Sequence, residues 1–351
     1  MPSDRKFDLW FKRHPTISSL LRMADSNETD ESFHERKREH NELKAINRRL
    51  NNLNTEVREL IDTRLWATMY LNYFITRIHT TTTADIEFND LPKLGKLSVK
   101  DEPLPTPPSL KEKYEPPFHE ESLELQVQIL KQRLKDAHIG VDAIWATLED
   151  LINTLTSEID ETPPDTCIGF RVFDDQSQAR LFPTGDIRCG NWQEFDVKQE
   201  LIRKRAEDHI TQAWGPTDYI SISTSPRRLW NLVHKRRPKE KKLAVIDLRV
   251  LQRLGIAYGS TTDDLGFRNT GMNRTEYATK HHVLVLGWIP RRSMLGFISS
   301  ETFAGLLEEA HIDTSTDRRD IPAAEYDKTI PFNQISRRFN TTTRSISKGA
   351  K

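Results

Sequence analysis

The sequence predicts an α+β domain behind a long α-helical region, on three observations. Two runs of apolar residues repeat at alternating spacings of three and four. A proline-rich stretch separates them, and short β-branched runs alternating with short helical patterns follow them. The first periodicity is that of helices packed along a seam, and the irregular mix of strands and helices argues against a doubly wound sheet.

The first seam is Leu43, Ile46, Leu50, Leu53, Val57, Leu60, Arg64, Ala67, Leu71, Phe74, Ile78, with one polar interruption. It predicts a coiled-coil helix over 36–79. The second, over 119–160, is Leu123, Val127, Leu130, Leu134, Ala137, Val141, Ile144, Leu148, Leu151, Leu155. Each helix would be about 50 Å long, too much apolar stripe to leave in water. An antiparallel hairpin of the two satisfies both seams, and a parallel homodimer is the next arrangement, with Arg64 setting register. The segment 80–118 contains D-E-P-L-P-T-P-P and Y-E-P-P and reads as a linker. Residues 1–35 and the basic tail 313–351 show neither helical nor strand period and are expected to lack fixed structure.

From 166 to 312 the elements shorten. C-I-G-F-R-V-F, D-Y-I-S-I-S-T, L-A-V-I-D-L and H-V-L-V-L-G-W-I-P are strand-like in length and composition. A helix is expected from Asp196, as N-cap, to Trp214. Another begins at Pro226 under the hydroxyl of Ser225, and a last one runs from Glu301 to Ala310.

The order F-R-V-F-D-D, Y-I-S-I-S-T-S-P, A-V-I-D and L-G-W-I-P-R-R-S-M-L-G resembles a fungal family that carries an uncharacterised domain. More distantly it is similar to the ADP-ribosyltransferase fold, over about 169–296. That resemblance implies an NAD site. Arg171 would hold a phosphate or ribose, and Ser223, Thr224 and Ser225 would brace the nicotinamide pocket. A carboxylate would then stabilise the cationic sugar of the transition state. The expected glutamate position holds His282, with Glu276 upstream as the other candidate, and a histidine cannot stabilise a cation as a carboxylate does. The resemblance therefore implies either a degenerate, nucleotide-binding relative or an active NAD-dependent transferase or glycohydrolase.

Composition narrows the remaining classes. Fifty-two basic and 52 acidic residues cancel, so no global field draws the chain to nucleic acid or an anionic membrane. The basic stretch Lys235 to Lys242 reads as a solvated loop, a nuclear import signal or a small phosphate patch. It has no interleaved aromatics for stacking on bases, so a nuclear nucleic-acid-associated role is the weaker reading. Cys167 and Cys189 lack metal-ligand spacing, and His281-His282 point to opposite faces of a strand. No metal site is expected. The absence of a signal segment or long apolar run fits an intracellular protein, cytoplasmic or nuclear. The leading expectation is an interaction or assembly protein, paired with a protein partner or with itself as a homodimer, whose C-terminal domain binds a nucleotide-like ligand.

Overall fold

The computed structural model describes residues 30–85, 123–174, 177–211, 215–234, 241–268, 278–314 and 323–339. Two long helices lead the chain, α1 (Asp30–Asp85) and α2 (Leu123–Leu155). The chain divides into two compact units, residues 1–61 with 99–139 and residues 62–98 with 140–351. Both helices run through both units, and α1 takes in residues at each end that the sequence assigns to unstructured segments.

In the first unit Leu50, Val127 and Leu130 are buried, with Ile46, Leu53 and Leu123 packed against them. Early residues of α1 thus meet early residues of α2. The second unit shows the same sense. The Arg64 side chain lies over Gly140, while Arg77 lies over Gly255 and the Leu155 carbonyl accepts from Arg253 Nε at 3.0 Å. The helices run parallel, which corrects the expected antiparallel hairpin. The reason lies in where the aromatics fall. Trp66, Tyr70 and Phe74 of α1, and Trp145, Leu148 and Ile152 of α2, join one core cluster with the strands. Both C-terminal halves need the same surface, so they must point the same way. The segment 86–122, which could span on the order of 100 Å if extended, does not oppose this.

The second unit is built on an antiparallel sheet. Its strands are β1 (Ile168–Phe173), β4 (Tyr219–Ser223), β5 (Lys242–Asp247), β6 (Tyr258–Ser260), β7 (His282–Leu286) and β9 (Met294–Ser299), in the order β6-β7-β4-β1-β5-β9. A smaller sheet joins β2 (Arg180–Leu181), β3 (Ile187–Arg188) and β8 (Trp288–Ile289). Gly287 separates β7 from β8 at φ +74, and the Phe195 ring fills the space where a Cβ would stand. Only glycine adopts that turn without strain, so the chain passes between sheets there.

The helices are α3 (Arg203–Ile210), α4 (Pro226–His234), α5 (Leu248–Leu254) and α6 (Ser300–Glu309), then α7 (Ala323–Asp327) and α8 (Phe332–Ser336). One face of β1 and β5, with Ile168, Phe170, Leu243 and Val245, packs on Leu229 and Val233 of α4 and on Phe303, Leu306 and Leu307 of α6. Ile330 and Ile335 join that core, so 323–339 is tied down although the sequence gives it no period. Helix α3 starts seven residues after the expected cap Asp196, whose carboxylate instead accepts from Lys198 N at 3.0 Å. Tyr219 Oη accepts from Ile202 N at 2.9 Å and donates to Ile202 O at 3.1 Å, which holds Ile202 extended until the helix begins.

A buried ion pair anchors α1 to the small sheet. Arg188, fully buried, donates through Nε to Asp186 Oδ2 at 2.7 Å and through Nη1 to Thr63 Oγ1 at 3.1 Å. Trp288 Nε1 donates to the same carboxylate at 2.8 Å. The guanidinium lies 4.0 Å from the Phe182 ring centre and 5.0 Å from those of Trp145 and Trp192. Such a pair tolerates burial because every charge has a partner, and removing one partner would cost about 3–5 kcal/mol. Among the described residues no helix is long and apolar enough to cross a membrane, and no group of His, Cys, Asp or Glu could hold a metal ion.

Candidate functional site

Strand β4 lies between β7 and β1 and carries two serines, Ser221 and Ser223, that alternate with its isoleucines, and Ser225 follows just beyond its end. Ile220 and Ile222 face the aromatic core. Tyr219 holds Ile202, as above, and Ser221 is the half-buried residue of the strand. The Ser221 hydroxyl sits between two imidazoles, 2.7 Å from His209 Nε2 and 3.0 Å from His282 Nε2. His209 Nδ1 lies 2.5 Å from Thr217 Oγ1. One serine hydrogen can serve only one of the two rings, so the other must donate to the serine oxygen. Burial, and then the charge of Arg171, pushes His209 down to about 4, so it is neutral at pH 7.

Arg171 reaches the same strand from β1. A single register pair, Phe170 with Ser223, joins β1 to β4. Beyond it the guanidinium takes over, donating to Ser221 O at 2.7 Å and to Ala179 O at 3.1 Å. Arg171 is 8% exposed, and burial pushes it down to about 10. Its fork is used by main-chain carbonyls. After β1 the chain turns at Asp174, whose carboxylate accepts from Ser177 Oγ at 3.1 Å.

The remaining hydroxyls have separate tasks. Ser223, 1% exposed, donates through Oγ to Ser225 O and accepts from Ser225 N, both at 3.2 Å. Ser225 Oγ accepts from Arg228 N at 3.4 Å in the first turn of α4, as expected of its cap. Thr224 Oγ1 lies 3.0 Å from His281 Nδ1. His281 and His282, adjacent in sequence, thus serve different hydroxyls. Arg171, Ser221 and His282 converge, and Ser223 pairs with His282 in register, but these groups contact one another. Glu276 lies outside the described residues. The serine that gathers the imidazoles is Ser221, and His209 was not singled out by sequence. Its position on a short polar helix carries no local signal of the strand it meets.

The basic stretch Lys235 to Lys242 is described only from Lys241. Lys241 is 4% exposed, with Nζ donating to Leu232 O at 2.8 Å and Val233 O at 2.9 Å. It satisfies carbonyls at the end of α4 and is no surface cation. Cys167 and Cys189 are both free thiols, and burial pushes Cys189 well up.

A cavity of about 350 Å³ opens in the second unit between α2 and the chain after β8. Trp145, Leu148, Ile152, Trp288 and Met294 supply its apolar wall, and Glu149, Asn153, Arg291 and Arg292 its polar groups. Trp145 is 7% exposed, and its Nε1 has no hydrogen-bond partner among the described residues. Arg291 Nη1 is 4.0 Å from Glu149 Oε1, and Arg292 Nε is 3.4 Å from Thr156 Oγ1. Both contacts are long, so these guanidiniums are weakly held compared with Arg171.

Residues 165–303 match the family model described as Domain of unknown function (DUF7587). Comparison with curated proteins and with solved structures finds no match.

Proposed function

We propose that the protein is an assembly protein whose second unit binds an anionic, nucleotide-like ligand in the cavity beside α2. The observation that carries this is the lining of that cavity. Trp145 and Trp288 contribute apolar surface to one wall, and two exposed arginines, Arg291 and Arg292, offer planar donor forks to a phosphate. The volume of about 350 Å³ lies within the range that takes a small ligand. For assembly, the support is that Leu43, Ile61, Leu125 and Ile139 of the first unit remain exposed.

The NAD-cleaving alternative has less support. Arg171, its phosphate ligand, is held by two carbonyls. Ser223 and Ser225 are engaged in the turn before α4, and the two groups on Ser221 are imidazoles. A developing sugar cation would find no carboxylate among those contacts.

The test is calorimetric titration of the full chain with AMP, adenosine and inorganic phosphate. AMP should bind most tightly, and Arg291→Ala with Arg292→Ala should weaken it by tenfold or more, about 1.4 kcal/mol. Equal binding by the double variant, or no binding of AMP, overturns the reading.

A further inference from the structure

A second constellation lies at the turn between β4 and α4, apart from the cavity. Thr224 stands there, with the strand ending at Ser223 and the helix beginning at Pro226. Its Oγ1 is 3.0 Å from His281 Nδ1, and His281 Nε2 is 3.1 Å from Asp327 Oδ1. A hydroxyl, an imidazole and a carboxylate therefore stand in line, contributed by the turn after β4, the residue before β7, and α7. We propose that Thr224, His281 and Asp327 form a nucleophilic triad that cleaves an activated acyl bond, an ester or thioester, in an anionic substrate.

The proton positions follow from the acceptor at the far end. Asp327 also pairs with Lys280 at 2.5 Å, and the hydrogen bonds from Lys280 and His281 hold its carboxyl below the ordinary value. A carboxylate only accepts, so the His281 proton sits on Nε2 and the Nδ1 lone pair faces Thr224. The hydroxyl then donates to the imidazole, the direction a general base requires. The His281 main chain and its ring each have a further contact. Thr224 N donates to His281 O at 3.1 Å, and the Tyr326 ring stacks on His281 at 6.4 Å with an interplanar angle of 12°. His281 keeps 16% of its side chain exposed and Asp327 54%, so solvent and substrate can reach the constellation. Burial lowers the His281 pKa and outweighs the opposing hydrogen bond and charge of Asp327, with the charges of Lys280 and Arg228 acting in the same direction as burial. The base is therefore neutral at pH 7, in surroundings whose cations favour an anionic substrate.

In the first step Thr224 Oγ1 attacks the acyl carbon while its proton passes to His281 Nδ1. The tetrahedral adduct expels the alcohol or thiol, which takes that proton, and leaves an acyl ester on Thr224. Water then attacks the ester, gives its proton to His281, and releases the acid as the proton returns to Thr224. The sum is ester plus water to acid plus alcohol, with no oxidant or reductant. Thr224 and His281 are the catalytic residues, and Asp327 is a positioning residue that fixes the tautomer.

The experiment mixes the full chain with p-nitrophenyl acetate and with p-nitrophenyl succinate. It follows the nitrophenolate burst and the mass of the peptide containing Thr224. The expected result is a stoichiometric burst, faster with the succinate, and an acyl adduct on Thr224. Thr224→Val, which keeps the shape, should abolish burst and adduct, while Thr224→Ser should retain both. His281→Ala should slow the burst by about 100-fold or more. Asp327→Asn should lower the burst rate and change its pH profile without changing KM. A Thr224→Val variant that keeps the near-ultraviolet circular dichroism of the parent and still gives the burst overturns the proposal. So does an adduct found only on other residues. Binding of AMP at the α2 cavity is unaffected by either outcome, so the two sites fail or stand separately.

Discussion

Ser221, Ser223 and Ser225 look equivalent along the sequence, yet each hydroxyl has a different partner: two imidazoles, the main chain of the next turn, and the first turn of α4. The last of these was legible, because Ser-Pro at a helix start implies a cap from local chemistry alone. The role of Ser221 was not, since both of its histidines arrive through tertiary contacts. Arg171, expected from the resemblance to hold a phosphate or ribose, lies buried on β1 with its guanidinium on two main-chain carbonyls. His209 makes a testable case. Its folded pKa is about 4, below the ordinary 6.5, so between these values the unfolded chain binds the extra proton. Stability is therefore full above pH 6.5 and is lost as pH falls toward 4, by an amount of the order of 3 kcal/mol. Urea midpoints of the parent should drop over that interval, and those of His209→Gln should drop distinctly less. A parallel decline in both would mean that other groups carry the pH dependence.

Among the elements, the long helices were the most legible and their direction the least. Periodicity reports which face of a helix is apolar, and the seam residues other than Leu43 and Arg64 are buried or half-buried. It does not report which end of a partner that face meets. Direction came from Trp66, Tyr70, Phe74, Trp145, Leu148 and Ile152, whose bulk exceeds what a two-helix seam buries. Helix α3 illustrates the converse, where a plausible cap at Asp196 lost to the Tyr219 bonds on Ile202. In the first unit the seam rests on few residues, with Leu130 2% exposed at its centre. Leu130→Ala should cost about 2–4 kcal/mol locally. Hydrogen exchange should then speed up in residues 43–57 and 123–134, while β1, β4 and β5 keep their protection. Unchanged exchange in both helices would show that their pairing does not rest on this seam.

For the whole molecule, the match to a domain of unknown function over 165–303 omits residues that the core requires. Trp288 is 1% exposed, and Tyr70, Phe74 and Trp145 pack against it at ring-centre distances of 4.4, 6.4 and 6.2 Å. Thr63 Oγ1 likewise completes the set of acceptors around the buried Arg188 guanidinium. A fragment of 165–303 exposes those rings and leaves a buried charge short of a partner. It should bind ANS and give a broad, weakly cooperative melt, whereas residues 62–339 should unfold cooperatively. A sharp transition in the short fragment would show that α1 and α2 are dispensable to the core. The sequence by itself determined the two long helices, the strands β1, β4, β5 and β7 but not β9, and the α+β class, because periodicity and capping are local properties. Tertiary structure alone decided that the helices run parallel, that Arg171 serves the backbone, and that Ser221 and Thr224 each meet a histidine. Those outcomes depend on which buried surfaces and polar groups find each other across long stretches of chain, and no local pattern encodes that choice.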